Sequence, residues 1–359
     1  SRPAAPPATE PGAPPTAADD AALRKKIASL LVVGFRGETV KPDDWIMQAI
    51  AEHGLGGIIL FDRDQQTGGP RNITSPQQVT ELVKTLRGAA PDGRLIVSID
   101  QEGGRIARLN PANGFPAVMS QAEVGAANSN AVTRNWASGM VESLTSIGVN
   151  FNFTPVVDLA INPTNPAIAE LGRAFSADPD VVVACATEEI RVHREAGMKT
   201  SLKHFPGFGS ATGNTDFEVV DVGTTWSRAE LEPFARLIGA GMADSVMVAH
   251  LLNRQLDPDR PVSLSRAVVQ DLLRGELDFT GPVVSDDMQA VAITSRYGRD
   301  ESVALALEAG VDLLTFANQA VYDEAVVEGT ITNVLGLVQS GRLTVEQIDR
   351  SAARVEQLR

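Results

Sequence analysis

The chain has 359 residues, of which 43% are hydrophobic and 21% are charged, and its formal net charge at pH 7 is −14. This composition is ordinary for a globular protein with a full core, and the acidic excess argues against nucleic acid and anionic membrane surfaces as partners, because both need clustered Lys and Arg. No apolar run approaches the roughly 20 residues that span a bilayer, and the single cysteine, Cys185, permits no internal disulfide.

The N-terminal segment 1–18, SRPAAPPATEPGAPPTAA, is rich in Pro and Ala and has no hydrophobic period. We expect a disordered, extended spacer over residues 1–20, followed by one domain over 21–359. Such spacers often join a signal segment or a membrane anchor to an exported domain. We therefore expect an extracytoplasmic protein of the periplasm or cell envelope, with a lipid or membrane tether before Ser1 as one arrangement. A cytoplasmic disordered tail is the alternative.

Eight short apolar runs follow in the remainder of the chain. Each is dense in Val, Ile, Leu or Phe and does not alternate strictly with polar residues, which is typical of strands buried on both faces of a parallel sheet. The runs are LLVVGF (30–35), GGIILF (56–61), RLIVSID (94–100), GVNFNFTPVVDL (148–159), GMKTSLKHF (197–205), DSVMVAHL (244–251), GPVVSDD (281–287) and VDLLTFA (311–317).

Helical patterns separate these runs. In PQQVTELVKTLRGAA and SRAVVQDLLRGEL the apolar residues recur at i, i+3 and i+4. Eight strands that alternate with helices predict a parallel sheet, and eight is the number that closes a (β/α)₈ barrel, so we predict a single-domain TIM-type barrel. A doubly wound open sheet is the alternative, since LLVVGF could also continue the helix before it.

Polar side chains stand where five consecutive predicted strands end. In a (β/α)₈ barrel the loops at these ends build the functional face, so we expect the side chains to lie close together. Any one of them alone could be a structural ion pair, and Asp158 in particular could only support the barrel rim. The residues are Asp100, Asp158, Lys203, His204, His250, Asp286 and Asp287.

Several blocks that contain these residues resemble glycoside hydrolase family 3. The blocks are DQEGGRIARL, NFTPVVDLAINPTNPAIAELGRAFSADP, KHFPGFG, LDPDRPVSLS and VVSDDM. The likeness runs in collinear order from about Ala22 to the C-terminus, and it is greatest to the single-domain bacterial β-N-acetylglucosaminidases, which trim GlcNAc from peptidoglycan fragments. The resemblance implies a retaining exo-β-glycosidase that needs no cofactor and no metal, with a GlcNAc-containing carbohydrate as its partner.

The resemblance also implies roles for individual residues. It places the nucleophile, which forms a glycosyl-enzyme, at Asp286, the first Asp of the SDD block. It implies that Met247 lines the pocket and that five side chains contact sugar hydroxyls: Asp100, Arg108, Arg173, Lys203 and His204.

Local geometry suggests other roles for some of these residues and for their neighbours. Lys203 and His204 could instead form a buried charge network that only holds the barrel mouth together. Because adjacent side chains of a strand point to opposite sides, we expect Asp287 to face away from the pocket. Glu102 and the Gly103–Gly104 pair are expected to shape a tight turn, with the glycines at positive φ.

The sequence departs from its family at the general acid/base. The family carries an Asp-x-His dyad after a Lys-His-Phe-Pro-Gly-His-Gly block, but here Phe208 replaces the second His of that block. An ungapped count puts Asn214 and Asp216 at the dyad positions. Asp216 could act as the acid if burial or a negative neighbour raised its pKa, with Asn214 offering an amide donor.

Two other interpretations of this loop stay open. Glu218 could serve as the acid, because its longer side chain could compensate for its place on the loop. Alternatively, nothing replaces the histidine, and the protein is a catalytically impaired family member that binds cell-wall glycan or a protein partner. Phe208 could either stack against a sugar or simply pack the loop onto the barrel.

Overall fold

The computed structural model describes residues 16–359, which form a ring of parallel strands surrounded by helices. The strands are β1 (Leu31–Val33), β2 (Gly57–Leu60), β3 (Ile96–Ile99), β4 (Gln101–Gly103), β5 (Ile106–Ala107), β6 (Phe151–Asn152), β7 (Lys199–Thr200), β8 (Leu202–Phe205), β9 (Val246–Val248), β10 (Val283–Asp287) and β11 (Leu313–Phe316). The helices are α1 (Ala17–Ser29), α2 (Trp45–Gln48), α3 (Pro76–Ala89), α4 (Gln121–Ala127), α5 (Asn130–Ser146), α6 (Pro179–Glu195), α7 (Glu232–Gly239), α8 (Val291–Thr294), α9 (Arg299–Ala309), α10 (Val326–Gln339) and α11 (Val345–Glu356).

The parallel sheet has the order β7-β6-β3-β2-β1-β11-β10-β9-β8, while β4 and β5 form a separate antiparallel hairpin. The two ends of the sheet, β7 and β8, are separated in the chain only by Ser201. Together they are one interrupted strand, which pairs with β6 on one side and β9 on the other. The Ser201 amide donates to the Thr154 carbonyl at 3.0 Å across this junction. The fifth strand position therefore closes an eight-membered barrel.

All eight predicted strand positions are confirmed, and the first is a strand rather than an extension of the preceding helix. The barrel strands are buried on both faces because helices cover the outside and side chains fill the inside. The fourth strand is shorter than the run that predicted it, since only Phe151–Asn152 pairs as a strand. Pro155, which has no amide hydrogen to donate, interrupts the pairing soon afterwards.

The predicted boundary of the N-terminal spacer is wrong by four residues. Helix α1 already begins at Ala17, because Thr16 accepts from the Asp19 amide and the Asp19 side chain accepts from the Thr16 amide. The rest of the predicted spacer, 1–15, lies outside the described residues. The predicted helix SRAVVQDLLRGEL is present as a π-helix over Ala267–Glu276. None of the helices between Thr16 and Arg359 has the length and apolar character needed to cross a bilayer.

A buried ion pair joins the first, second and last strands at the carboxyl end of the barrel. The Arg71 guanidinium is fully buried and lies 3.1 Å from Asp64 Oδ2. It also donates to the carbonyls of Phe35, at 3.0 Å, and Ala317, at 2.7 Å. No side chain fits at Gly34 between these segments, because a Cβ there would lie 2.0 Å from the Ala317 carbonyl oxygen. The cation therefore fixes three loops that follow β1, β2 and β11.

We expect Arg71→Met to lower the free energy of unfolding by about 3 kcal/mol, because the buried Asp64 and several carbonyls would lose a charged partner. Chemical denaturation followed by circular dichroism measures this change. The matched control is Arg134→Met, which breaks the solvent-exposed ion pair with Glu195 and should cost below about 1 kcal/mol. Equal losses in the two variants would contradict a structural role for the Arg71 network.

Candidate active site

A cavity of about 550 Å³ opens at the carboxyl ends of the barrel strands. Its wall is built by the loops that follow strands on all sides of the barrel, as expected for this architecture. Every residue to which the family resemblance gives a role lines this one cavity, and so does the candidate acid Asp216. These residues are Asp100, Arg108, Arg173, Lys203, His204, Asp216, Met247 and Asp286.

At the floor of the cavity two cations share a buried carboxylate, Glu102. Lys203 Nζ lies 2.8 Å from Glu102 Oε2 and 2.9 Å from Asp100 Oδ1. Arg173 binds Glu102 through two parallel bonds, with Nε and one terminal nitrogen each 2.9 Å from a carboxylate oxygen. Burial alone would raise the pKa of Glu102, but the charges of Arg173 and Lys203 outweigh it and hold that pKa well below its ordinary value.

Glu102, which was expected to shape a turn together with the glycine pair, also binds the two cations of the cavity floor. Its carboxylate lines the cavity and joins Arg173 to Lys203. Both cations are far from Glu102 in the sequence. The glycine part of the expectation is confirmed, since Gly103 and Gly104 have φ values of 103° and 57°. A Cβ at Gly103 would lie 2.1 Å from the Met119 carbonyl oxygen. The signal in the sequence is an acidic residue three positions after the apolar strand β3, but the partners of that residue are not readable there.

His204 is held by Asp158, which is fully buried behind it. His204 Nδ1 lies 2.8 Å from Asp158 Oδ2, within hydrogen-bond distance. The Phe208 amide donates to the other Asp158 oxygen at 2.8 Å. Asp158 thus supports the barrel rim, which is the structural role considered for it from the sequence. It also orients the His204 imidazole, which lines the cavity.

Phe208, which replaces the family's second histidine, packs the loop onto the barrel and also lines the cavity. Its ring is 3% exposed and meets the His204 ring edge to face, with centroids 5.7 Å apart. The Asn165 amide donates to the Phe208 carbonyl at 2.7 Å and to the Gly209 carbonyl at 3.2 Å. The first part of the loop is consequently fixed by side chains from the preceding βα unit.

Asp286 lies on β10 and faces the cavity as an ionised group. Burial opposes its charge, but electrostatic interactions with His204 and His250, the hydrogen bond from the Asp287 amide and the Lys203 cation together lower its pKa below the ordinary value. The Asp287 amide donates to Asp286 Oδ1 at 2.8 Å. A buried carboxylate that stays ionised has the charge required of a nucleophile.

The expectation that Asp287 faces away from the pocket is wrong, since both carboxyl groups line the cavity. The pairing register of β10 with β11 shifts between Val284 and Asp287, so the strict alternation of side chains is lost there. Asp287 Oδ1 accepts from the amides of Gln289, at 3.1 Å, and Ala317, at 3.0 Å. Burial raises the pKa of Asp287 to about 7.

His250 fixes the backbone at the end of β10 from behind. Its ring is buried, with Nε2 2.8 Å from the Asp287 carbonyl oxygen and Nδ1 2.7 Å from Ser263 Oγ. Because a carbonyl only accepts, the proton is on Nε2 and Nδ1 accepts from the serine hydroxyl. His250 therefore acts on the site through the chain that carries both aspartates.

Asp216 stands at the cavity on a loop that reaches across to the segment after β10. The amide of Ala292 in helix α8 donates to the Thr215 carbonyl at 3.0 Å, and the Val291 amide donates to the Asp216 carbonyl at 3.3 Å. Asn214 Oδ1 accepts from the Asp216 backbone amide at 2.9 Å, so this bond shapes the turn. It is not the expected donation from the Asn214 amide to the Asp216 carboxyl. The loop is thereby anchored beside the two aspartates of β10.

The environment of Asp216 suits a group that keeps its proton. Burial and the negative charge of Asp286 raise the pKa of Asp216 to about 6, against the opposing charges of Arg173 and His204. Asp216 keeps solvent contact through the cavity mouth, while the cavity wall around its carboxyl supplies the burial that raises the pKa. Glu218, the alternative acid, is exposed on the same loop outside the cavity lining. Among residues 16–359 no group of three or more His, Cys, Asp or Glu side chains is arranged to hold a metal ion.

Comparison with known proteins agrees with this architecture. Residues 22–358 match the glycosyl hydrolase family 3 N terminal domain. The chain is 36% identical over 330 residues to a β-hexosaminidase of Stenotrophomonas maltophilia, covering 88% of this chain and 92% of the relative. It is 34% identical over 280 residues to a β-hexosaminidase of Tolumonas auensis, covering 77% of this chain and 79% of that one.

Two solved structures are similar along most of the chain. The β-N-acetylhexosaminidase from Beutenbergia cavernae superposes with a TM-score of 0.82 at 30% identity, covering 93% of this chain and 97% of its own. A family 3 β-N-acetylglucosaminidase from Paenibacillus superposes with a TM-score of 0.84 at 34% identity; the match covers 94% of this chain but 62% of that longer one. The barrel is thus shared with both solved structures over more than nine-tenths of this chain.

Helix α6 carries a further buried carboxyl group, that of Glu189. It is fully buried, and Thr154 Oγ1 donates to its Oε1 at 2.9 Å. Burial raises the pKa of Glu189 to about 8, and the charge of Glu102 adds to this effect. The group therefore carries a proton in the folded protein at neutral pH but loses it on unfolding.

This difference predicts a stability that depends on pH. The contribution of Glu189 is complete below its ordinary pKa of 4.5 and is lost as the pH rises towards 8. We expect Glu189→Gln, which mimics the protonated form, to gain roughly 2 to 4 kcal/mol over wild type between pH 5 and pH 8. Urea denaturation at both pH values measures it, with the exposed Glu142→Gln as control. A difference from wild type that is the same at both pH values would contradict a proton on Glu189.

Proposed function

Because the chain belongs to glycoside hydrolase family 3, we propose that it is a retaining exo-β-glycosidase that removes N-acetylglucosamine from peptidoglycan or related cell-wall glycans. The relatives at 34–36% identity are named β-hexosaminidases, and the similar structures are hexosaminidases and a β-N-acetylglucosaminidase. The Pro- and Ala-rich segment 1–18 is typical of the spacers of exported proteins, and this supports a location outside the cytoplasm, where such glycans are found.

One observation carries the proposal: two carboxyl groups of opposite protonation line the same cavity. Asp286 is held ionised by surrounding positive charge, while burial and Asp286 itself keep a proton on Asp216 up to a pKa of about 6. Retaining glycosidases need this division, because one carboxylate must attack while the other must donate a proton. It also favours a working hydrolase over a protein that only binds glycan.

The reaction then proceeds in two displacements. An oxygen of Asp286 attacks the anomeric carbon while Asp216 gives its proton to the glycosidic oxygen, so the C–O bond breaks and the shortened glycan leaves as an alcohol. This step leaves the sugar as an ester on Asp286 and Asp216 as a carboxylate. Asp216 then removes a proton from water, which attacks the anomeric carbon from the vacated side and releases the sugar with retained configuration. The chemistry uses no cofactor.

The remaining cavity residues bind the sugar in this proposal. Carboxylate and guanidinium groups pair with vicinal hydroxyls through two hydrogen bonds at once, and this suits the charged floor of the cavity. Met247, which is buried, supplies an apolar wall. The hydroxyl contacts are Asp100, Arg108, Arg173, Lys203 and His204.

We expect a slow 2-fluoro-glycosyl donor to form a stable adduct on Asp286, because the fluorine slows the second displacement more than it slows the first. Intact mass should increase by a single glycosyl group, and peptide mapping should place it on Asp286. The Asp286→Ala variant should give no adduct. An unmodified wild type with glucose-, GlcNAc- and arabinose-type donors would contradict the proposed nucleophile and leave a glycan-binding role on a hydrolase scaffold.

Removing the acid should affect difficult leaving groups most. We expect Asp216→Asn to lower kcat/KM about 10²–10⁴-fold for a disaccharide, but far less for a dinitrophenyl glycoside, whose leaving group needs no proton. In wild type, kcat/KM should fall as the pH rises through about 6, since Asp216 then loses its proton. That alkaline limb should be absent from Asp216→Asn.

Glu218→Gln is the matched control on the same loop, and it should retain the wild-type pH profile. Loss of the alkaline limb in Glu218→Gln, with Asp216→Asn unaffected, would transfer the acid role to Glu218. Equal losses for both leaving groups in Asp216→Asn would contradict proton donation by this residue.

A further inference from the structure

The loop that carries the acid begins with a short segment, residues 206–210, which two carboxyl groups hold. This segment directly follows strand β8. Asp158 Oδ1 accepts from the Phe208 amide at 2.8 Å. Glu230 Oε1 accepts from the Ser210 amide at 3.3 Å. Carboxyl groups from two distant parts of the chain thus bind alternate backbone amides of the same segment.

Glu230 lies in a single 3₁₀ turn before helix α7, and it meets the segment together with Trp226. The Trp226 indole donates to the Pro206 carbonyl at 3.0 Å. Trp226 and Glu230 are four residues apart, and so are their partners Pro206 and Ser210. The packing is close, since a Cβ at Gly207 would lie 2.7 Å from the Glu230 Cβ. We call the contact of Trp226 and Glu230 with residues 206–210 the loop clamp.

The surroundings of Glu230 suit a neutral carboxyl group. The residue is buried, and within residues 16–359 its Oε2 has no hydrogen-bond partner and no cationic side chain pairs with it. An ionised carboxylate in this place would lack the donors that water gives it. Burial raises the pKa of Glu230 to about 7, and the charge of Asp158 adds to this effect against the opposing hydrogen bonds of Ser210. The loop clamp is therefore stable while the carboxyl keeps its proton.

We propose that Glu230 is a positioning residue of the glycosidase reaction, which holds the start of the acid loop in place while its carboxyl is neutral. The inference rests on the proposed function and adds to it a residue outside the cavity lining. The segment that Glu230 holds lies between His204 and Asp216 in the chain. When Glu230 ionises, a buried negative charge appears near that of Asp158, and hydration of this charge requires the segment to move away. Asp216 then offers its proton from a displaced loop, which slows the transfer.

Variants of Glu230 distinguish positioning of the acid from simple packing. Glu230→Ala should lower kcat/KM about tenfold for a disaccharide at pH 6, but much less for a dinitrophenyl glycoside, whose leaving group needs no proton. Glu230→Gln keeps an oxygen for the Ser210 amide and should restore most of the loss. The matched control is Glu232→Gln, which changes an exposed carboxylate two residues further along the chain. Equal losses for both substrates in Glu230→Ala, or no loss, would overturn the inference.

The pH profile tests whether the neutral form of Glu230 is the one that acts. Above pH 7 the kcat/KM of wild type for a disaccharide should fall more steeply than that of Glu230→Gln, which has no proton to lose. Relative to their values at pH 6, the difference should reach about tenfold at pH 8. Asp216 and Asp287 titrate in both proteins, so their effects cancel in the comparison. Glu232→Gln should keep the wild-type curve, and parallel curves for wild type and Glu230→Gln would contradict control by this proton.

Tryptophan fluorescence follows the loop clamp without turnover, and it therefore separates this inference from the proposed function. The Trp226 ring is buried against residues 206–210, so movement of the segment brings water to the indole. Emission of wild type should shift to longer wavelength with a midpoint near pH 7, and Glu230→Gln should lack this transition. Trp226→Phe should also lack it, which assigns the signal among the three tryptophans. The transition in an inactive protein would retain the clamp and reject the hydrolase, whereas an active enzyme without the transition would overturn the clamp alone.

Discussion

The bidentate pairing of Arg173 with the buried Glu102, which also holds Lys203, is the constraint on which the rest of the site depends. A carboxylate without solvent access is tolerated only with complete partners, because a lost partner leaves an uncompensated charge in a poorly polarisable medium. The three residues come from the loop after β3, the loop after β6 and strand β8. One ion cluster therefore sets the relative positions of three βα units, and its Lys203 adds to the effect of His204, His250 and the Asp287 amide in lowering the pKa of Asp286.

Asp286 and Asp216 carry the same chemical group, so the difference between their pKa values follows from what surrounds each carboxyl. Asp286 lies among the positive groups of the floor, whereas Asp216 enters from a loop and meets the negative charge of Asp286. Replacing the family's dyad histidine by an aspartic acid is workable only in such a setting, because an isolated aspartic acid is ionised at neutral pH. The charge of Asp286 thus helps to keep Asp216 protonated.

The strand positions were predictable because strands buried on both faces are apolar throughout, whereas half-exposed strands alternate with polar residues. The fourth strand is shorter than its apolar run, because Pro155 lacks the amide hydrogen that further pairing needs. The helix at Ala17 was missed because its cap depends on a side-chain exchange between Thr16 and Asp19 inside a Pro- and Ala-rich context. Site residues were accessible through strand ends and family likeness. The partners of Glu102 were not, since they are about 70 and 100 residues away in sequence, and the orientation of Asp287 depended on an irregular register.

The interrupted strand β7–β8 links the activity of the protein to the closure of its barrel. The seam of the barrel runs along Ser201, and Lys203 and His204 of the cavity floor follow it closely, before the loop of Asp216. Opening the barrel at this seam would displace the Lys203 cation, the His204 imidazole and the Asp216 carboxyl together, because all three follow it in the chain. Turnover is therefore an all-or-none reporter of ring closure, and two fragments divided near this seam would regain activity only by reassembling both of its sides.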